Sequence, residues 1–233
     1  MKMTRPKLWA VIPAAGSGQR FSKTDLKQYQ KILGKTVLEH SVNALYQLPL
    51  SGCVIAISTQ DTFAEQIEFV HPVQFCQGGK ERMDSVFAAL KYLESYADAN
   101  DYILVHDAAR PCLHVDQLRN IEKFCQTGQN AAIIAVPVRD TLKKSKANQQ
   151  IESTVDRTGL WQAQTPQIIK YSILYRALQH ATQHQLHVTD EASALEQLNS
   201  PIQLIEGRMD NLKITYPQDL DFAKLVLSLK QPT

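Results

Sequence analysis

Short apolar runs alternate along this chain with segments in which apolar residues recur at helical spacing. Runs of the first kind, each long enough for one buried strand, lie at residues 8–12, 53–58, 102–106 and 131–136. Parallel strands need long crossover connections, which are usually helices. The alternation therefore predicts an α/β fold with a mostly parallel central sheet.

Helix boundaries are marked by local signals. Thr36 followed by Glu39 reads as a capping box that opens a helix through about Tyr46. Further elements are expected at residues 84–96 and 116–124 as helices, at 202–205 and 212–215 as short strands, and from about Pro217 as a last helix. These elements extend the alternation to the end of the chain.

A glycine-rich turn follows the first apolar run directly. Residues 13–20 read Pro-Ala-Ala-Gly-Ser-Gly-Gln-Arg, and Lys27 lies shortly beyond them. Small residues let backbone N–H groups approach phosphate oxygens without interference from side chains, and Arg20 and Lys27 add positive charge. We interpret the segment as a cradle for a nucleotide triphosphate, where positioning and charge neutralisation supply most of the catalysis.

Two other phosphate-binding motifs do not fit this turn. A dinucleotide fingerprint needs a third small residue where Phe21 stands, and Arg20 would crowd the pyrophosphate. A Walker loop needs Gly-Lys-Ser/Thr, which is missing after the turn. A plain β-to-α turn without a ligand is the remaining alternative, and the basic residues and the later motifs argue against it.

Bulk properties narrow the class of protein. The 233 residues suit a single domain, 1–233, with an appendage at 138–164. The net charge of only +2, with both signs interspersed, argues against a dedicated nucleic-acid binder. The dispersed cysteines form no Cys-x-x-Cys pair, so neither a zinc site nor a disulfide framework is indicated, and a reducing cytoplasm is expected.

The N-terminus is similar to a signal peptide only in outline. Basic residues precede a short apolar run, but Pro13 interrupts the run, which leads into the glycine-rich turn rather than a cleavage site. Elsewhere no segment approaches the roughly 20 apolar residues that a membrane helix requires. We therefore expect a soluble protein without membrane association.

Between residues 138 and 164 the helical pattern stops. Basic residues lead to a polar tip at 148–150, and a second extended stretch, residues 154–161, returns from it. This pattern predicts a β-hairpin arm, and an arm too thin for its own core usually packs against a partner. A mobile surface loop fits the same residues equally well. An arm would make the protein an oligomer.

A second polar motif, His-Asp-Ala-Ala-Arg-Pro at residues 106–111, stands at the carboxyl end of a predicted strand. Ligands in open α/β sheets bind at such ends. Asp107 is placed to hold Mg²⁺, which usually takes one or two carboxylates plus phosphate oxygens, and Arg110 could meet an anionic substrate group. Equally, Asp107 could cap the following turn and Arg110 could pair with a surface acid.

A series of short motifs follows in a fixed order along the chain. They are Pro-Ala-Ala-Gly-x-Gly-x-Arg at 13–20, Lys27-Gln28-Tyr29, Gly78-Gly79-x-x-Arg82-x-Asp84-Ser85-Val86, His106-Asp107-Ala108-Ala109-Arg110-Pro111, Val136-Pro137-Val138-x-Asp140-Thr141, Asp156-Arg157, Gln164-Thr165-Pro166-Gln167, Thr189-Asp190-Glu191 and Gly207-x-x-x-Asn211-x-Lys213. This ordered set covers nearly the whole chain. It closely resembles the 2-C-methyl-D-erythritol 4-phosphate cytidylyltransferase family of the non-mevalonate isoprenoid pathway.

The resemblance implies a Rossmann-like three-layer nucleotidyltransferase fold and the transfer of a cytidylyl group from CTP to 2-C-methyl-D-erythritol 4-phosphate. The substrate phosphate attacks the α-phosphorus of CTP and pyrophosphate leaves, so no covalent nucleophile is required. It also implies Mg²⁺ held by Asp107. Three catalytic cations, Arg20, Lys27 and Lys213, would stabilise the charge that develops in the transition state.

The other site residues follow from the same motifs. Nucleotide binding is expected from Pro13, Ala14, Ala15, Gly16, Gly18, Gly79, Ser85 and Ala108. Substrate contacts are expected from Asp107, Arg110, Thr141, Arg157, Thr165 and Thr189. Because the family's arm crosses to the neighbouring subunit, Thr141 and Arg157 would complete the site of the partner in a homodimer.

Two positions depart from the family pattern. Leu26 stands where relatives often have Pro, and Lys80 stands where some have Asp. Ribitol 5-phosphate cytidylyltransferase shares most of the motifs and is the nearest alternative function. A sugar-phosphate nucleotidyltransferase that uses another base, and a nucleotide-binding module without catalysis, are more distant alternatives.

Overall fold

The computed structural model describes residues 5–16, 20–22 and 25–230, which form a sheet with helices on both faces. The strands are β1 (Leu8–Pro13), β2 (Lys31–Ile32), β3 (Lys35–Thr36), β4 (Leu50–Ile57), β5 (Gln74–Gln77), β6 (Tyr102–Val105), β7 (Ala131–Pro137), β8 (Leu142–Ser145), β9 (Ile151–Val155), β10 (Trp161–Lys170) and β11 (Gln203–Glu206). The α-helices are α1 (Val37–Leu45), α2 (Arg82–Tyr92), α3 (Val115–Thr127), α4 (Tyr171–Gln183), α5 (Glu191–Glu196) and α6 (Asp219–Ser228). Within this part of the chain, none of the helices has the length and apolar character needed to cross a membrane.

Seven strands form the central sheet in the order β11, β7, β10, β6, β1, β4, β5. β6, β1, β4 and β5 pair in parallel with their neighbours, as do β7 and β11, while β10 is antiparallel to both β6 and β7. The predicted mostly parallel α/β sheet is confirmed. Since β6 and β7 both oppose β10, every strand of the sheet except β10 has its carboxyl end at the same edge.

Alternate residues of the central strands face opposite layers of helices. In β1, Ala10 and Ile12 pack in one cluster with α1 and α3, whereas Trp9 and Val11 pack in another with α2, α4 and α5. A strand points successive side chains to opposite faces, so an unbroken apolar run is buried on both. The result is the expected three-layer arrangement, and a smaller cluster packs α6 beside Ala109.

The start of α1 confirms the predicted capping box. The Thr36 hydroxyl accepts a hydrogen bond from the Glu39 N–H at 3.1 Å, and the Glu39 carboxylate accepts one from the Thr36 N–H at 2.6 Å. Two backbone N–H groups that the helix itself leaves without partners are thereby satisfied. The helix predicted at residues 84–96 corresponds to α2 and the short 3₁₀ turn Leu93–Ser95 that follows it. The helix predicted at residues 116–124 corresponds to α3.

The predicted strand over residues 212–215 is wrong. In the described structure these residues join no sheet. Instead the Ile214 N–H donates to the carbonyl of Ala109 at 2.9 Å, in the turn after β6, and the Ile214 side chain is buried beside α6. Alternating apolar residues that bury a loop against a helix give the same sequence pattern as a short strand. The last helix begins at Asp219, just after the predicted Pro217.

Strand β10 was not identified as an element of the sheet, although it lies between β6 and β7. Its register on β7 shifts between Ala163 and Gln167, which marks a bulge. A bulge bends a strand and re-aims the side chains within it. The bulge contains Gln164 and Thr165, both of which are buried.

A separate two-stranded sheet forms the arm. β8 and β9 pair antiparallel, with Leu142 opposite Val155, and every residue of β9 is exposed. The hairpin prediction is therefore confirmed over the loop alternative. Ile151 (65% exposed), Val155 and Trp161 present apolar surface to solvent. Packing of the arm on a partner stays a prediction.

We expect Thr36→Ala to lower the free energy of unfolding by about 1 kcal/mol, because the helix then loses its side-chain cap. Urea denaturation followed by circular dichroism measures the change. Thr36→Ser keeps the hydroxyl and serves as the matched control. Equal stability of the alanine and serine variants would show that the cap does not stabilise α1.

Candidate active site

A cleft opens at the edge of the sheet where the parallel strands end. It encloses about 660 Å³, including the part open to solvent, and is lined by the turns after β1, β5 and β6 and by the segments around Lys27 and Lys213. Open α/β sheets bind ligands at this edge. The sequence-predicted residues in its lining are Pro13, Ala14, Ala15, Gly16, Lys27, Gly79, Ser85, Asp107, Ala108 and Lys213.

Small residues from the turn after β1 form one wall. The Ala14 N–H donates to the Ala56 carbonyl at 2.8 Å, and the Ala14 carbonyl accepts from the buried Gln28 side chain at 3.0 Å. The first bond continues the pairing of β1 with β4. The second fixes the turn to the segment that carries Lys27. Gly16 has open space where a side chain would begin, and this leaves room for a ligand.

The opposite wall is the turn between β5 and α2. A Cβ on Gly79 would lie 2.2 Å from the Cβ of Asp84, and one on Gly78 would lie 2.7 Å from that of Ala15. Both glycines are therefore required by packing. The Gly79 N–H donates to the Ser85 hydroxyl at 3.1 Å, so the two predicted cytidine contacts are adjacent.

At the floor of the cleft a single buried carboxylate contacts three cations. Oδ1 of Asp107 accepts from Nε of Arg82 at 3.2 Å, and Oδ2 lies 3.3 Å from Nε of Arg110 and 2.9 Å from Nζ of Lys213. Arg110 also donates to the Asn211 carbonyl at 2.7 Å. Residues from the start of α2, from the turn after β6 and from the segment after β11 therefore converge on one side chain.

The charges of this group determine its protonation states. Burial by itself opposes ionisation of Asp107, but the charges of Arg82, Lys213 and Arg110 hold the pKa of its carboxyl far below the usual range. Burial lowers the pKa of Arg110. The Asp107 side chain is therefore ionised at neutral pH.

Lys27 lines the cleft and, like Lys80 beside it in the lining, has no carboxylate contact among the described ion pairs. Its Nζ donates to the Ile214 carbonyl at 3.0 Å, next to Lys213. Burial, followed by the charge of Lys213, lowers the pKa of Lys27 to about 8 from the ordinary 10.5. Leu26, which precedes Lys27, has φ −78°, close to the angle that a proline ring would impose.

Thr165 contacts the floor from the bulge of β10. Its hydroxyl accepts a hydrogen bond from the Asp107 N–H at 3.0 Å and lies 3.0 Å from Nδ1 of His106. Nε2 of His106 lies 3.0 Å from the Arg110 carbonyl, which can only accept, so this nitrogen carries the proton and Nδ1 accepts from Thr165. Burial lowers the pKa of His106 to about 4, which keeps the ring neutral.

Other predicted site residues lie elsewhere. Thr141 and Arg157 are exposed on the arm, and Thr189 is exposed before α5, where its N–H donates to the Ser193 hydroxyl at 3.1 Å. None of the three belongs to the described lining of the cleft. Arg20 is exposed outside that lining, although its charge contributes to the lowered pKa of Lys27. Gly18 lies outside the residues that the structure describes.

Two charged residues at the site had no role assigned from the sequence. Arg82 lines the cleft, and Glu191 pairs with it at 2.6 Å. Both stand inside the quoted motifs. No local pattern in the sequence indicates that residues so far apart form an ion pair. Gln28, also in a motif, was likewise not predicted to hold the turn after β1.

Comparison with known proteins gives a consistent result. A family model described as 2-C-methyl-D-erythritol 4-phosphate cytidylyltransferase matches residues 8–229. A protein of that name from Acinetobacter baumannii (strain SDF) is 55% identical over 226 residues, which cover 96% of this chain and 95% of that one. A protein of the same name from Mannheimia succiniciproducens is 43% identical over 227 residues, covering 95% and 96%.

Solved structures agree with this comparison. The crystal structure of a 4-diphosphocytidyl-2C-methyl-D-erythritol synthase has a TM-score of 0.84 and 39% identity, and the match covers 96% of this chain and 100% of that one. A Francisella tularensis 2-C-methyl-D-erythritol 4-phosphate cytidylyltransferase has a TM-score of 0.82 and 31% identity, covering 94% and 99%.

The fold and these comparisons place the chain in the class of nucleotidyltransferases with an α/β fold. Within that class, the chain belongs to the 2-C-methyl-D-erythritol 4-phosphate cytidylyltransferase family. The family resemblance and the Rossmann-like fold expected from the sequence are therefore confirmed.

The lowered pKa of Lys27 can be measured directly. Because only the neutral amine is acetylated, we expect the rate of Lys27 acetylation by acetic anhydride to rise with a midpoint near pH 8. In Lys213→Met the midpoint should move upward, since the charge of Lys213 lowers this pKa. Peptide mass spectrometry across a pH series gives both midpoints, with the exposed Lys123 as internal reference. A midpoint near 10.5 in both proteins would contradict the electrostatic account.

Proposed function

We propose that this chain transfers a cytidylyl group from CTP to 2-C-methyl-D-erythritol 4-phosphate and releases pyrophosphate. The observation that carries the proposal is the cleft itself, where close-packed glycines and alanines form the walls and Lys27 and Lys213 stand at the floor. Walls made of small residues let backbone groups come close enough to bind a base and a chain of phosphates. The cations suit the charge that phosphoryl chemistry develops.

In the proposed reaction, an oxygen of the methylerythritol phosphate attacks the α-phosphorus of CTP. A new phosphorus–oxygen bond forms as the bond to the departing pyrophosphate breaks, so no enzyme nucleophile is consumed. Lys27 and Lys213 lie close enough for the charge of Lys213 to lower the pKa of Lys27. An anionic ligand relieves this repulsion, and the two lysines stabilise the crowded negative charge. Arg20 would add a third cation from outside the described lining.

Asp107 would hold the Mg²⁺ that the family implies. Among the described residues its Oδ1 accepts only from Arg82, and the residue lines the cleft, so one lone pair of Oδ1 stays available for a cation. The described residues contain no cluster of three His, Cys, Asp or Glu side chains that could hold a metal. Phosphate oxygens and water would therefore complete the ligand set, as is usual for Mg²⁺. When bound, the ion supplies charge that stabilises the leaving pyrophosphate.

The arm supports a homodimer in which each chain completes the site of the other. Within one chain, Thr141 and Arg157 are exposed on the arm and do not line the described cleft. Exposed apolar residues on the same arm, including Ile151, favour burial against a second chain. Arg157 suits bidentate binding of a substrate phosphate. All four cysteines are free, which fits the reducing cytoplasm expected for the protein.

The activity is tested by pyrophosphate release from CTP and Mg²⁺, with 2-C-methyl-D-erythritol 4-phosphate and D-ribitol 5-phosphate in parallel. We expect a strong preference for the first substrate. Lys27→Ala and Lys213→Ala should each lower kcat by about 10²-fold or more, since each removes a stabilising cation. Lys123→Ala, which removes an exposed cation from α3, is the matched control. Preference for ribitol phosphate would overturn the substrate, and release with neither would overturn the activity.

Arm exchange predicts that two inactive variants complement each other. Lys213→Ala damages the cleft and Arg157→Ala damages the arm, so a mixed dimer contains one site with neither defect. After the variants are unfolded and refolded together, about a quarter of wild-type activity should return, since half of random dimers are mixed. Each variant refolded alone is the control. A mixture no more active than the mean of the two variants would show that Arg157 does not act on the neighbouring site.

A further inference from the structure

Glu191, the first residue of α5, is a buried carboxylate aimed at the wall of the cleft. Its side chain is 2% exposed. Oε1 accepts from Nη1 of Arg82 at 2.6 Å, and Oε2 accepts from Nη2 at 3.0 Å. This is the bidentate geometry in which a carboxylate fixes both the position and the plane of a guanidinium group.

Arg82 carries this constraint to the floor of the cleft. Its third nitrogen, Nε, donates to Oδ1 of Asp107 at 3.2 Å. All three nitrogens of the guanidinium are thereby bonded to carboxylates, Nε to Asp107 and the other two to Glu191. Arg82 lines the cleft, whereas Glu191 does not. The contact of Glu191 with the lining of the cleft is therefore made through Arg82.

Glu191 is itself held in place by strand β10. The buried side chain of Gln167 donates to the Asp190 carboxylate at 2.8 Å and accepts from the Ala192 N–H at 2.9 Å. One amide thus binds the residues immediately before and after Glu191. The Asp190 side chain also caps α5 by accepting from the Ser193 N–H at 2.9 Å. The carboxylate is consequently fixed before any ligand arrives.

The charges explain why a carboxylate is needed at this position. Arg82, Arg110 and Lys213 all contact Asp107. Without Glu191, this single carboxylate would have to balance the charges of all three cations. Burial opposes the charge of Arg82, and the carboxylates of Glu191 and Asp107 offset it, raising the pKa of Arg82. Without Glu191, two N–H groups of a mostly buried guanidinium would lose their acceptors and seek others in the cleft.

We propose that Glu191 is a positioning residue for CTP, which holds Arg82 in the plane that shapes the nucleotide cleft and keeps it on Asp107. The inference rests on the proposed function. Glu191→Gln keeps the side-chain size but turns one acceptor into a donor that faces Nη1 or Nη2 of Arg82. The guanidinium then leaves its position, and the CTP site loses its preformed wall.

The test is a double-mutant cycle of Glu191→Gln and Arg82→Gln, read by KM for CTP, kcat and direct calorimetric binding of CTP. We expect Glu191→Gln to raise KM and Kd for CTP about tenfold while kcat changes much less, which is the signature of lost binding rather than lost chemistry. Since Glu191 acts through Arg82, the double variant should match Arg82→Gln alone. Glu196→Gln removes the same charge from the exposed side of α5 and should match the wild type.

Additive losses in the double variant, or an unchanged Kd for CTP in Glu191→Gln, would overturn the proposal. If Glu191→Gln fails to fold by circular dichroism, the cycle is run with Glu191→Asp, which keeps the charge but shortens the reach. The same non-additivity with Arg82→Gln is then expected, and additivity again overturns the inference. Calorimetry distinguishes a failure of the proposed activity from a failure of the proposed role of Glu191. If wild-type protein binds CTP but converts neither polyol phosphate, only the proposed activity is refuted.

Discussion

The site depends on one buried carboxylate. Asp107 follows β6 at the carboxyl edge of the sheet and binds cations from the start of α2, from its own turn and from the segment after β11. A buried charge is tolerated only when it is paired and hydrogen-bonded, so the loops that supply these partners cannot move independently. Thr165 adds a bond to the Asp107 backbone from the bulge of β10. Four separated segments are thereby held in one arrangement.

Around this centre the cleft combines small residues in its walls with charged side chains at its floor and in the β5–α2 turn, where Arg82 lines it. Glycines in the wall pack so closely that larger side chains are excluded, as the contacts of Gly78 and Gly79 show. At the floor, Lys27 lacks a described carboxylate partner and stands near Lys213. The local excess of positive charge favours an anionic ligand, while Asp107 and Glu191 hold Arg82 and Arg110 in ion pairs. The lysines thus supply the attraction for an anionic ligand, whereas the two carboxylates keep the arginines in place.

The sequence was most informative where a local rule governs the structure. The buried strands β1, β4, β6 and β7 and the Thr36 cap follow from apolar runs and capping chemistry, which act within a few residues. It failed where tertiary context decides. β10 carries glutamines and Thr165 within the sheet because its bulge turns them toward buried partners, so its pattern is not that of an apolar strand. Residues 212–215 alternate like a strand but bury a loop beside α6.

The fold class, the family and the motifs can be recognised in the sequence alone, since strand patterns, small-residue turns and ordered motifs are local properties of the chain. Which charged side chains meet depends on the tertiary structure. Glu191 and Arg82 are 109 residues apart and form an ion pair at 2.6 Å, and the same pairing reaches Asp107. An ion pair depends on the distance and burial of both partners, and both are set by how the strands are ordered and how the helices pack. Sequence spacing contains neither quantity.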